Sequence, residues 1–131
     1  MYDREFTSER ISELRDNEIF VFGSNLAGMH GGGAALIAFQ LFGAVWGQGT
    51  GLQGRSYGIP TMHGGVDVIK PYVDEFIKFA AEHNEYKFLV TRIGCGIAGF
   101  RAEDIAPLFA NAMDLQNVIL PRDFVAVIER S

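Results

Sequence analysis

Hydrophobic and polar positions alternate in blocks along the chain. EIFVFG (18–23) is a compact apolar run with β-branched and aromatic residues, the pattern of a buried strand. GAALIAFQLFGA (33–44) is mostly apolar and predicts a helix buried on most sides. SYGIPT (56–61) predicts a short strand ended near Pro60. In the segment 66–85, Val73, Phe76, Ile77 and Ala80 recur at helical spacing. Pro71 suits a first turn, which predicts a start at Ile69 or Lys70. YKFLVTRIG (86–94) predicts a strand, and RAEDIAPLFANAM (101–113) a helix with acids in its first turn and Pro107 near its start. NVILP (117–121) predicts a strand, and DFVAVI (123–128) another strand or a terminal extension. At the other end, TSERISELRDN (7–17) places Thr7 or Ser8 before Ile11 and Leu14, the signature of a short capped helix. VWGQGTGLQGRS (45–56) has four glycines and no periodicity, so a loop is expected.

Such alternation defines an α/β class with a mixed, mainly parallel sheet between helices. The 131 residues, 48% of them hydrophobic and including 11 phenylalanines, suffice for one well-filled domain spanning 1–131. No linker, repeat or low-complexity tract divides it. The net charge of −5 and the scattered basic residues argue against a surface that tracks nucleic-acid phosphates. They do not argue against a small anion, which backbone amides can bind unaided. Cys95 is the sole cysteine, so there is no internal disulfide and no cysteine cluster for a metal. No metal or cofactor is expected. The polar N-terminus lacks a signal-peptide pattern, and no apolar run approaches the ~20 residues that cross a bilayer. The expectation is a soluble, cytoplasmic protein without a membrane partner.

Glycine clusters at two places. VFGSNLAGMHGGGAAL (21–36) and LVTRIGCGIAGFRAEDIAPL (89–108) each run from a predicted strand through a glycine-rich loop into a predicted helix. In a parallel sheet all such loops leave from the carboxyl edge, where open α/β folds bind ligands. Absent β-carbons allow close approach to phosphate oxygens, and helix N-termini supply unpaired N–H groups and a favourable dipole. The paired loops therefore point to a diphosphate. GCGIAG (94–99) also fits the G-x-G-x-x-G dinucleotide fingerprint, with Asp114 downstream. It lies too late in the chain for a full Rossmann sheet, so a Rossmann-like binder is a minor alternative.

SNLAGMHGGGAA (24–35) resembles the first ligand loop of macrodomains, the ADP-ribose-binding modules. VTRIGCGIAGF (90–100) is similar to their second loop, particularly in the terminal ADP-ribose glycohydrolase type, and SYGIPTM (56–62) falls where that type has its middle strand. The resemblance implies a macrodomain-like three-layer α/β/α sandwich. It implies that Gly23, Ser24 and Asn25 end the first strand at the ligand, with Asn25 near the distal ribose, and that Gly31, Gly32 and Gly33 line the first loop. Gly94, Cys95, Gly96, Ile97, Ala98 and Gly99 would wrap the diphosphate, and Phe100 would pack near the distal ribose. An acid near the N-terminus, Asp3 or Asp16, would contact the adenine.

The family's catalytic residues are not matched. Ala34 and Ala35 stand where one macrodomain class has an aspartate. Thr61, Met62 and His63 stand where the glycohydrolase type has a lysine, and Ile97 and Ala98 where it has an aspartate. Binding is the first expectation. Hydrolysis of ADP-ribose from a modified protein or nucleic acid is the alternative, with Asn25, His30 and His63 as catalytic candidates. A third reading has no nucleotide, the glycines serving a protein interface.

Several residues have competing roles. Asn25 can cap its own loop, and His83 suits a helix C-terminus. Cys95 reads as a small buried residue or a low-pKa thiol. Arg92 can pair with Glu103 or Asp104, or reach an anion. Gln53 and Arg55 are candidates for a lid, and Trp46 and Tyr57 for stacking on a base or filling the core.

Overall fold

A computed structural model describes residues 4–130. The chain folds as an α/β protein with a five-stranded mixed sheet. Its elements are β1 (Glu18–Ser24), α1 (Gly33–Leu41), β2 (Gly51–Gln53), β3 (Ser56–Pro60), α2 (Val66–Ala81), β4 (Lys87–Val90), α3 (Ala102–Ile105), a 3₁₀ segment (Ala106–Asp114), β5 (Val118–Ile119) and α4 (Arg122–Arg130). The strand order is β2-β3-β1-β4-β5. β1 pairs in parallel with both β3 and β4, β4 pairs in parallel with β5, and β2 is an antiparallel edge strand on β3.

β1 is central, which explains its continuous apolar sequence. Successive side chains of a strand point to opposite faces. Ile19 and Val21 enter one core with Ile59, Val73, Phe76, Phe88 and Val90. Phe20 and Phe22 enter the other, with Ala35, Ala38 and Phe42. α1 packs through its alanines, whose small size brings the helix close to Phe20 and Phe22. Phe42 then closes the end, its ring 4.9 Å from that of Phe20. On the opposite face, α2 buries Ile69, Val73, Phe76 and Ala80, a stripe at helical spacing.

Four expectations are corrected. Residues 4–15 form no helix: Thr7 spends its hydroxyl on the Ile119 carbonyl (3.0 Å), and Phe6 bridges to Leu120 beside β5. Strand-like docking thus outcompetes the local cap. The segment 45–56 contains β2, too short and glycine-rich to show alternation. α2 starts at Val66, earlier than its proline suggests, and Pro71 lies inside it. DFVAVI is part of α4, because Phe124, Val125 and Val127 at helical spacing find the core. Pro107 also leaves a mark: it has no N–H to continue the α ladder, and α3 gives way to the 3₁₀ segment at Ala106.

No described helix is long and apolar enough to cross a membrane.

Candidate functional site

β3, β1 and β4 are adjacent and parallel, so the segments after them (61–65, 25–32 and 91–101) leave the same sheet edge. From β1 the chain turns into α1, on the Phe20–Phe22 face; from β4 it turns into α3, on the opposite face. Neighbouring strands whose helices depart to opposite faces leave a crevice at their carboxyl ends, the switch point at which open α/β sheets bind ligands.

The two glycine loops approach each other at this edge. At the crevice floor Gly23, near the end of β1, meets Gly94: a β-carbon built on Gly23 would lie 3.4 Å from the Gly94 nitrogen and 3.2 Å from Thr61 Oγ1. At its mouth a β-carbon on Gly32 would lie 3.3 Å from Ile97 Cδ1. Ile97, on the second loop, is 74% exposed. Space around Gly31, Gly96 and Gly99 is open. Among the described residues, the N–H groups of Gly31, Gly32, Gly96, Ile97 and Ala98 donate no hydrogen bond. α1 has no side-chain N-cap, so its first-turn amides are likewise unspent.

The first loop is held by side chains. Asn25 clasps Met29, its Nδ2 donating to the Met29 carbonyl (3.0 Å) and its Oδ1 accepting from the Met29 N–H (2.9 Å). The Leu26 N–H donates to His63 Nε2 at 2.8 Å, tying this loop to the one after β3. That places the His63 ring proton on Nδ1. Ser24, buried, donates its hydroxyl to the Gly49 carbonyl. Gly28 has φ +69° and presses against the next segment, where a β-carbon would fall 2.2 Å from the Gln48 nitrogen. Gly49 is equally constrained: its β-carbon would lie 2.1 Å from the Asn25 carbonyl oxygen.

His30 is fully buried. Its Nε2 faces the Val45 carbonyl (2.9 Å) and Gln53 Oε1 (3.2 Å), both acceptors, which assigns the ring proton to Nε2. Nδ1 is left as a buried acceptor without a partner. The ring lies among Phe22, Phe39 and Trp46, with no surface for a substrate. Gln53, expected on a lid, is instead an internal clamp in β2. It is buried and accepts from the Val45 N–H at 2.8 Å. Arg55 donates to the Arg15 carbonyl.

The second loop is held mainly by its own backbone. The Phe100 N–H donates to the Gly94 carbonyl (2.8 Å) and Gly99 to Gly96 (3.0 Å). Phe100 is half-buried against the core. Cys95 is half-buried, and burial pushes its thiol up; Arg92 opposes this, while Asp123, Asp104 and Glu103 add to it. This is the reverse of an activated thiol. Arg92 pairs with Asp123 of α4 at 2.8 Å, not with Glu103 or Asp104. The sequence offers no cue to that partner, because DFVAVI reads as a strand or a terminal extension and not as a helix.

Other candidates lie elsewhere. Asp16 precedes β1 and so sits at the edge opposite the crevice, while Asp3 is outside the described residues. Asp114 ends the 3₁₀ segment rather than a strand. Tyr57 is buried; burial and Glu75 push its phenol up to about 12, so it stays neutral in the core. His83 Nδ1 caps α2 through the Phe79 carbonyl at 2.7 Å. Ser24 and Thr61 carry buried hydroxyls at the crevice, and only the short polar residue closing each strand hints at this in the sequence. Comparison with protein families, characterised proteins and solved structures finds no match.

Proposed function

We propose that this protein binds ADP-ribose or a related nucleotide diphosphate in the crevice between the Gly28–Gly33 and Gly94–Phe100 loops. The observation that carries the reading is the convergence of two distant loops, Gly32 lying against Ile97, with unspent amides on both. Five such N–H groups, aided by the start of α1, suit the oxygens of linked phosphates and need no cation. In this reading the fold is a macrodomain-like three-layer α/β/α sandwich in the cytoplasm. The resemblance of both loops to macrodomains favours ADP-ribose over other diphosphates.

We favour binding over hydrolysis. The Asn25 amide is engaged at both ends, His30 is buried, and the acceptor nitrogen of His63 is occupied by Leu26. Without rearrangement Asn25 is not free to position a water or ribose hydroxyl, and neither histidine is free to serve as a base. An ADP-ribosylated macromolecule is then a binding partner rather than a substrate.

Calorimetry with ADP-ribose, AMP and NAD tests the reading. Heat with ADP-ribose, and weaker heat with AMP, is expected; no heat at millimolar ADP-ribose contradicts it. Release of ADP-ribose from a modified substrate by wild type but not by Asn25→Ala would favour the hydrolase instead.

A further inference from the structure

No Asp, Glu, Lys or Arg occurs between Glu18 and Arg55; all 11 basic and 16 acidic residues lie outside this stretch, which exceeds a quarter of the chain. It supplies β1, the first loop, α1, β2 and the segment joining α1 to β2. β1 is buried, which explains its share. α1 is not: Ile37, Phe39 and Leu41 are exposed opposite and beside its buried alanines. Met29, Val45 and Trp46, from the flanking segments, are also exposed, at 59%, 49% and 52%. Phe39, Trp46 and the buried His30 form one aromatic group, with the Phe39 and Trp46 rings 5.4 Å apart. α2 shows what a solvated helix of this protein looks like. It turns Asp67, Lys70, Asp74, Glu75 and Lys78 outward.

We infer that the α1 face joins two copies of this chain. Half-exposed side chains of this size contribute on the order of 100 Å² each. Six of them approach the ~800 Å² that each partner loses in a stable interface. Aromatic and methionine side chains without charges are the composition of an interface core. Charge selects the occupant. The 19–54 stretch itself supplies no cation to hold a nucleic acid or an anionic bilayer. Two acidic copies, each carrying −5, approach with less repulsion through side chains of the uncharged 19–54 stretch than through the charged remainder of the chain. The geometry is also self-complementary. Ile37 and Leu41 share one ridge of α1 at i, i+4, while Phe39 lies on the other flank beside Trp46. A two-fold axis across α1 sets the ridge of one copy against the aromatic pair of the other.

The test is the mass of the full chain by light scattering, from micromolar to submillimolar concentration, with and without added salt. Twice the 14.4 kDa chain mass is expected, and high salt should not dissociate it. Trp46 is the only tryptophan, so its emission should shift to the red as dilution separates the copies. Ile37→Glu/Leu41→Glu should halve the mass, whereas Val66→Glu/Val68→Glu, on α2, should not. Dilution of the unmodified protein decides the matter even if the first variant fails to fold. A monomer across the whole concentration range overturns the inference. So does a dimer that survives Ile37→Glu/Leu41→Glu in a folded protein. A monomer that co-sediments with neutral phosphatidylcholine vesicles assigns the face to a membrane and overturns it too.

Discussion

In the first loop, Gly28 is wedged against Gln48 and Asn25 is clasped to Met29; in the second, Gly96 and Gly99 have open space around them and hold only each other. Both loops are glycine-rich, yet glycine serves different ends. At Gly28 and Gly49 the missing β-carbon lets two backbones touch, and at Gly28 it also permits a positive φ. At Gly31 and Gly96 it leaves amides bare. The first loop is thus a built wall, pinned through His63 to the loop after β3. The second is a backbone turn resting on the core through Phe100. A ligand between them would meet one fixed surface and one adaptable surface.

Adding a methyl group at matched positions breaks or sharpens this contrast. Gly28→Ala should have the largest effect. A left-handed backbone and an unavoidable collision together should cost on the order of 3 kcal/mol, read as a lower denaturation midpoint in urea. A near-normal midpoint would mean that the wall is not rigid. Gly96→Ala should leave the midpoint unchanged or slightly raised, since the position is open and its φ is not positive. It should instead weaken ADP-ribose roughly tenfold, about 1.4 kcal/mol. Equal damage to stability at both positions would erase the distinction.

Asn25→Ala removes two hydrogen bonds from the wall and should cost about 1 kcal/mol of stability, with faster amide exchange confined to 25–30. The smallest effect concerns Cys95 on the adaptable side. Its thiol is pushed up by burial, so the thiolate is scarcer at neutral pH than in an unperturbed thiol. Alkylation should be slow at pH 7 and keep climbing with pH beyond the ordinary thiol range. A rate that levels off below that range would mean an activated thiol and a different second loop.

The main architecture was legible where burial forces a periodic pattern. β1, buried on both faces, reads as an apolar run, and α2 shows its stripe of Val73, Phe76 and Ala80. Legibility failed where tertiary partners decide. Thr7 could cap a helix or bond to Ile119, and only the presence of β5 selects the second. Val125 and Val127 suit a strand by propensity, but the core sets them in α4. The two loops stood out through glycine, whereas their supports did not. Gln53 as a clamp on Val45, and Asp123 as the partner of Arg92, depend on contacts that no local spacing encodes. His30 read as a site residue because it lies among glycines, while the fold turns its ring toward Phe22 and Gln53.

The central claim is that main-chain amides of both loops bind one ligand. Titrating ¹⁵N-labelled protein with ADP-ribose and following each amide tests it most directly. The account predicts that Gly31, Gly32, Gly96, Ile97 and Ala98 shift together along one binding curve, while Asp16 and the N-terminal segment stay still. Shifts in one loop alone, or none at millimolar ligand, would contradict it.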